Sequence, residues 1–168
     1  MSKKNIRFLI YCLVAAVIVA ADQWTKYLVV ENIPLYAYAK AIPGLIHFTY
    51  VQNTGAAFSA FEGMQWLFVL IFAVLTAAVI FEYFKKPLAF TTFERWCIVA
   101  IYGGGMGNMI DRVRLGYVVD MIATEFIEFP VFNVADCFIT CGCIAMMVSL
   151  VFFNKNFWKE EKEGLTDI

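Results

Sequence analysis

Four long apolar runs alternate along the chain with two extended mixed segments and one short charged turn. Windows of about 20 apolar residues, the length a helix needs to cross hydrocarbon, fall at 6–30, 64–84, 93–111 and 134–153. Each predicts a spanning helix. The first follows Lys3, Lys4 and Arg7 and passes through Ala20-Ala21, the outline of a secretory signal peptide. Its apolar character resumes after Asp22 and runs to Val30, and three more spans follow, so it is read as an uncleaved first helix.

An even number of crossings puts both termini on one side. Nine basic residues (Lys3, Lys4, Arg7, Lys85, Lys86, Arg95, Lys155, Lys159 and Lys162) fall on that side, against Lys26, Lys40, Arg112 and Arg114 on the other. The positive-inside rule then makes the termini cytoplasmic. Segments 31–63 and 112–133 become outer connections, 85–92 an inner turn and 159–168 a charged, solvated tail. Trp24, Tyr27, Trp66, Trp96 and Trp158 lie near span ends, as interfacial anchors do.

The outer connections carry strand patterns. Residues 45–52 are β-branched and aromatic between Pro43-Gly44 and Asn53-Thr54-Gly55, and 117–122 read the same way after Gly116. Segment 126–132 contains Pro130 and would be an edge strand at best. Residues 33–42, apolar and aromatic but too short to span, are expected in the interface as a cover over the site. The architecture predicted is an all-α membrane protein: four transmembrane helices with a small extracytoplasmic antiparallel β-sheet, one domain over 1–168.

Composition agrees. The chain is 62% hydrophobic and 16% charged, against about 25% charged in soluble domains, and its mean hydropathy is +0.72. A net charge of −1 with dispersed basic residues gives no nucleic-acid surface. Cys12, Cys97, Cys137, Cys141 and Cys143 all fall in apolar segments without a Cys-x-x-Cys pair, and His47 is the only histidine. They read as buried, reduced packing residues, and no metal site is expected.

Polar residues gather at the outer helix ends. Asp22 and Lys26 are four apart, the spacing of an ion pair on one helix face. In Gly103-Gly104-Gly105-Met106-Gly107-Asn108-Met109-Ile110-Asp111-Arg112, two adjacent stripes run from glycines to Asp111 and from Gly104 through Asn108 to Arg112. The glycines permit close helix approach; Asp111 and Arg112 are placed to orient the outer loop or contact a substrate backbone. Asn133 and Asp136 have N-cap and N3 spacing. Asp120, on the preceding strand, reads alone as a solvated acid.

A loop returning to start the fourth helix can bring Asp120 and Asp136 together. Two carboxyls sharing a site raise the proton affinity of one and titrate as a coupled pair. One then takes a proton from water while the other donates to a carbonyl oxygen. Two other classes fit part of the pattern. A small proton-coupled transporter or channel subunit would use Asp22, Asp111, Asp120 and Asp136 as relays, distributed through the membrane depth. A non-catalytic assembly protein would use only the glycine stripe.

Asp22-Gln23-Trp24-Thr25-Lys26, Asn53-Thr54-Gly55-Ala56-Ala57-Phe58, Gly107-Asn108-Met109-Ile110-Asp111-Arg112, Val118-Val119-Asp120 and Phe132-Asn133-Val134-Ala135-Asp136 together resemble the bacterial lipoprotein signal peptidase family, signal peptidase II. The resemblance covers nearly the whole chain. It implies an aspartic endopeptidase of the bacterial inner membrane, without cofactor, acting as a monomer among membrane phospholipid on lipid-modified prolipoproteins. By motif position it implies Asp120 and Asp136 as catalytic. Asp22, Lys26, Asn53, Gly55, Asn108, Asp111, Arg112 and Asn133 are implied to bind substrate or support the dyad. Met121 stands where the family often has phenylalanine.

Overall fold

The computed structural model describes residues 3–55, 62–84, 90–154 and 157. Ala56-Ala57-Phe58, Trp158, the tail 159–168 and most of the expected turn at 85–92 lie outside them. In chain order the elements are α1 (Lys3–Asn32), β1 (Tyr38–Ile42), β2 (Ile46–Asn53), α2 (Gln65–Phe84), α3 (Thr92–Leu115), β3 (Val118–Thr124) and α4 (Val134–Val148), continued by a π-helical turn at Ser149–Phe153. This is a helix-rich protein with one small antiparallel sheet.

Local chemistry sets the helix ends. Thr91 caps α3 in a reciprocal box with Glu94, and Gly116, at φ 80°, closes it in the left-handed conformation that glycine tolerates. Asn133 and Asp136 form the same box at the start of α4. The expected third span thus begins one residue earlier and ends four residues later, so Arg112 belongs to a helix rather than to the outer loop.

Among the described residues, Lys3–Asn32 and Val134–Phe153 are long and apolar enough to cross a membrane, and Gln65–Phe81 is a shorter apolar helix. The polar carboxyl-terminal half of α3 lowers its hydropathy. Helix α3 is the hub, packed against both α1 and α4 and more lightly against α2. A Cβ on Gly104 would stand 2.5 Å from the Ala135 carbonyl oxygen, and one on Gly107 2.5 Å from Asp22 Oδ2. Only glycine lets α4 and α1 come this near to α3.

The sheet has the order β1-β2-β3, antiparallel throughout. The strands expected at 45–52 and 117–122 are β2 and β3. The third strand differs from expectation. Segment 126–132 contributes only a bridge from Phe132 to Ile122, because Pro130 lacks the amide a ladder needs. The edge is formed instead by Tyr38–Ile42, half of the segment expected to lie in the interface. Beneath the sheet, Val29 at the end of α1 packs with Tyr50, Val119 and Met121. The methionine replacing the family's phenylalanine therefore sits in this small core.

The described cysteines are all unpaired, but not all buried. Cys97 is buried and Cys137 and Cys143 half-buried, while Cys12 and Cys141 lie on exposed helix faces. On apolar helices such faces are apolar too, which is why sequence placed these thiols inside. Trp24, Trp66 and Trp96 are exposed, in keeping with an anchoring role.

Candidate active site

At one end of the bundle, the amino end of α4, the carboxyl ends of α1 and α3, and strand β3 converge on a single hydrogen-bonded network. Its innermost part is an ion cluster. Lys26 Nζ lies 2.9 Å from Asp22 Oδ2 and 2.9 Å from Asp111 Oδ2. It also donates to Asn108 Oδ1 at 2.8 Å. Asp22 is 0% exposed and Lys26 3%, so the expected i, i+4 pair exists, but buried and with a third member.

Each acid of this cluster fastens another element. Asp22 Oδ1 accepts from the Ala135 backbone N–H at 3.0 Å, holding the start of α4. Asp111 Oδ2 accepts from the Val119 N–H at 3.1 Å, holding β3 one residue before Asp120. Gln23 Nε2 donates to Asp111 Oδ1 at 2.8 Å and ties α1 to α3. Sequence reading passed over Gln23; its neighbours at positions 22 and 26 were the available hint that this face of α1 is polar.

Asp120 is 2% exposed. Its Oδ1 accepts from Asn133 Nδ2 at 2.7 Å and its Oδ2 from Asn53 Nδ2 at 2.9 Å. Burial pushes its carboxyl up to about 6, with the charge of Asp136 adding to the rise and the asparagine bonds opposing it. The strand-end acid is therefore not solvated. Asp136, half-buried, accepts from Asn108 Nδ2 at 2.8 Å and from the Asn133 backbone N–H at 3.1 Å.

Asn133 joins the two acids. Its Oδ1 caps the Asp136 N–H at 2.9 Å while its Nδ2 reaches Asp120. Asn108 is oriented by charge: Lys26 donates to its oxygen, so its amide must point toward Asp136. Asp120 and Asp136 line one cavity of about 540 Å³. Phe129, Pro130, Val131 and Phe132 wall it on the loop side, and Cys137 and Cys141 on the α4 side. Residues 33–42 are not in this wall: Tyr38–Ile42 is the far edge of the sheet, two strands from Asp120, and Ile33 packs against the core beneath it.

Arg112 completes the mouth. Its Nη2 donates to the Gly55 carbonyl at 2.9 Å, its guanidinium lies 4.6 Å from the Phe68 ring centroid, and its buried Nε has no partner among the described residues. Gly55 N–H is itself held by Asn53 Oδ1 at 2.9 Å. All ten residues singled out from sequence thus fall in one connected site, with Gly55 contributing backbone rather than side chain.

The fold has counterparts among solved proteins. A bacterial membrane enzyme determined by the in meso method at 2.3 Å matches with a TM-score of 0.79 and 32% identity over 87% of this chain and 90% of that one. A second such structure, at 1.9 Å, matches with a TM-score of 0.76 and 31% identity over 86% and 94%. Fold and site thus define a helical membrane enzyme.

The family model described as signal peptidase (SPase) II matches residues 14–152, and the chain belongs to that family. The lipoprotein signal peptidase of Enterococcus faecalis is 40% identical over 158 residues, 92% of this chain and 95% of that protein. That of Streptococcus thermophilus is 42% identical over 144 residues, 86% and 89% of the two chains.

Proposed function

We propose that this protein is an aspartic endopeptidase that removes the signal peptide of diacylglyceryl-modified prolipoproteins, cutting just before the lipidated cysteine. The observation that carries the reading is the pairing of Asp120 and Asp136 through Asn133 in one cavity, within a chain of the signal peptidase II family.

Asp120, raised by burial, holds the proton the pair shares. Asp136 sits in the first turn of α4, where Asn108 Nδ2 and the Asn133 N–H hold its carboxyl at the cavity it shares with Asp120. Asp136 takes a proton from water as the oxygen attacks the scissile carbonyl carbon, and Asp120 gives its proton to the carbonyl oxygen. The resulting gem-diol collapses: one of its hydroxyls returns a proton to Asp120 as the C=O re-forms, the C–N bond breaks, and the cysteine amine leaves with the proton Asp136 had taken. Arg112 and Asn53 hold substrate backbone at the mouth, and Lys26, Asp22 and Asp111 fix the elements carrying the dyad.

We also propose four crossings with both termini cytoplasmic. Helix α3 has 24 residues, about 36 Å at 1.5 Å per residue. That exceeds the roughly 30 Å hydrocarbon core. The dyad lies at the end of the bundle opposite Lys3, Lys4 and Arg7, and with the positive-inside rule this supports catalysis at the outer face of a bacterial cytoplasmic membrane. Clustering of Asp22, Asp111, Asp120 and Asp136 at one end disfavours a relay through the membrane.

The test is cleavage of a diacylglyceryl-modified prolipoprotein by the purified protein in detergent. Release of a product with the lipidated cysteine at its amino terminus supports the assignment; an intact substrate with folded protein overturns it.

A further inference from the structure

Helix α2 meets α3 where Arg112 lies over the Phe68 ring and again where Phe72 stacks on Tyr102 with ring centroids 5.2 Å apart and meets Gly105, whose missing side chain makes room for the ring. It packs only lightly on α3, and α1 and α2 scarcely touch. The space between them, against α3, is a cavity of about 240 Å³ at the end of the bundle away from the dyad. Phe8, Cys12, Val79 and Ile98 are among its apolar walls.

Polar groups in this wall are few. The Thr76 hydroxyl is spent on the Phe72 carbonyl of its own helix at 2.7 Å. Among the described residues, Arg95 is the only one in the wall that carries a permanent charge. Its Nε donates to the Phe90 carbonyl at 3.3 Å, and among the described residues it pairs with no carboxylate. From Arg95 to Arg112 is 17 residues of α3, about 25 Å. Under the four-span reading, on which this inference rests, Arg95 therefore lies near the inner headgroup level.

We propose that this groove holds one acyl chain of an anionic phospholipid of the inner leaflet, with the lipid phosphate on Arg95. An apolar gap open to hydrocarbon fills with a chain whatever its headgroup; the arginine is what selects charge. A single basic residue near the membrane surface contributes about 1 kcal/mol toward an anionic lipid, which is roughly a five-fold preference. A lipid seated here also bridges α1 and α2, which protein contacts leave apart.

The test is native mass spectrometry of the full chain, titrated in detergent with phosphatidylglycerol and phosphatidylcholine of identical chains. Wild type should retain one phosphatidylglycerol with about five-fold preference. Arg95→Gln should retain both lipids equally, and Cys12→Trp, which fills the groove, should retain neither; Val79→Trp fills it from α2 should Cys12→Trp not fold. Equal retention of both lipids by wild type, undiminished preference in Arg95→Gln, or full occupancy in a folded groove-filling variant overturns the proposal. Prolipoprotein cleavage in the same preparations reports on the dyad separately, so loss of lipid selectivity with cleavage intact counts against the groove alone.

Discussion

Asn133 Nδ2 donates to Asp120 Oδ1 at 2.7 Å across the gap between α4 and β3. The residue that starts the helix carrying one acid thereby positions the other. Its two tasks are separable, since a cap needs only an oxygen whereas the bond to Asp120 needs an amide donor. Asn133→Ser should keep the cap, because serine caps as well as asparagine, but it strips buried Asp120 Oδ1 of its donor, so it should cost about 1–3 kcal/mol and lose turnover at least about ten-fold. Asn133→Ala should lose turnover and, with the cap itself, about 1 kcal/mol more. Thermal unfolding and cleavage on the same samples check both.

Among the described residues, Lys26 is the only cation paired with buried Asp22 and Asp111, and it also holds Asn108. Removing one member of a buried ion cluster costs about 3–5 kcal/mol, because the remaining charges lose their compensation. Lys26→Met should fall in that range. Adding Asp111→Asn, which removes one stranded charge, should recover part of the loss. A double-mutant cycle in denaturant or heat measures the coupling, and additive losses would contradict the cluster.

Gly104→Ala must push a methyl against the Ala135 carbonyl oxygen, and Gly107→Ala one against Asp22 Oδ2. Overpacking of this kind costs roughly 1–3 kcal/mol. Gly104→Ala moves the start of α4 and with it Asp136, so it should reduce turnover as well as stability. Gly107→Ala acts through the ion cluster, and its turnover loss should shrink in combination with Asp22→Asn, which leaves less charge to displace.

Burial raises the Asp120 carboxyl from 3.8 to about 6 in the folded protein. Between those values the folded state binds more protons than the unfolded one, so this group makes stability fall as pH rises, with no further loss above about 6. Relative to Asp120→Asn, wild type should therefore lose stability from pH 4 to pH 6 and then run parallel. Melting temperatures of the two proteins across pH 4–8 test this; a constant difference would contradict a buried, raised Asp120.

The legible parts of this protein are those written in short-range pattern. Asn133 and Asp136 show their cap by spacing, β2 and β3 show theirs by β-branched and aromatic content, and Asp22 and Lys26 by the helical repeat. Tyr38–Ile42 was obscured because Lys40 and two alanines give no strand signature; pairing with β2, not propensity, makes it a strand. The cover assigned to 33–42 came from aromatic content, which does not say where a segment packs.

Other links leave no sequence trace. The bond from the Val119 N–H to Asp111 uses a backbone donor that every residue has. A second buried polar cluster, Glu94 with Ser149 and Asn154, was half readable: Thr91-x-x-Glu94 is a capping box, but its union with the end of α4 depends on how α3 and α4 pack.

The most direct test of the central claim is cleavage of a diacylglyceryl-modified prolipoprotein by wild type beside Asp120→Asn and Asp136→Asn, each shown to be folded by its melting curve. A shared-proton dyad predicts that both variants lose cleavage by at least about 10³-fold, since neither acid alone can both activate water and protonate the carbonyl. Processing at the wild-type rate by either variant would contradict it.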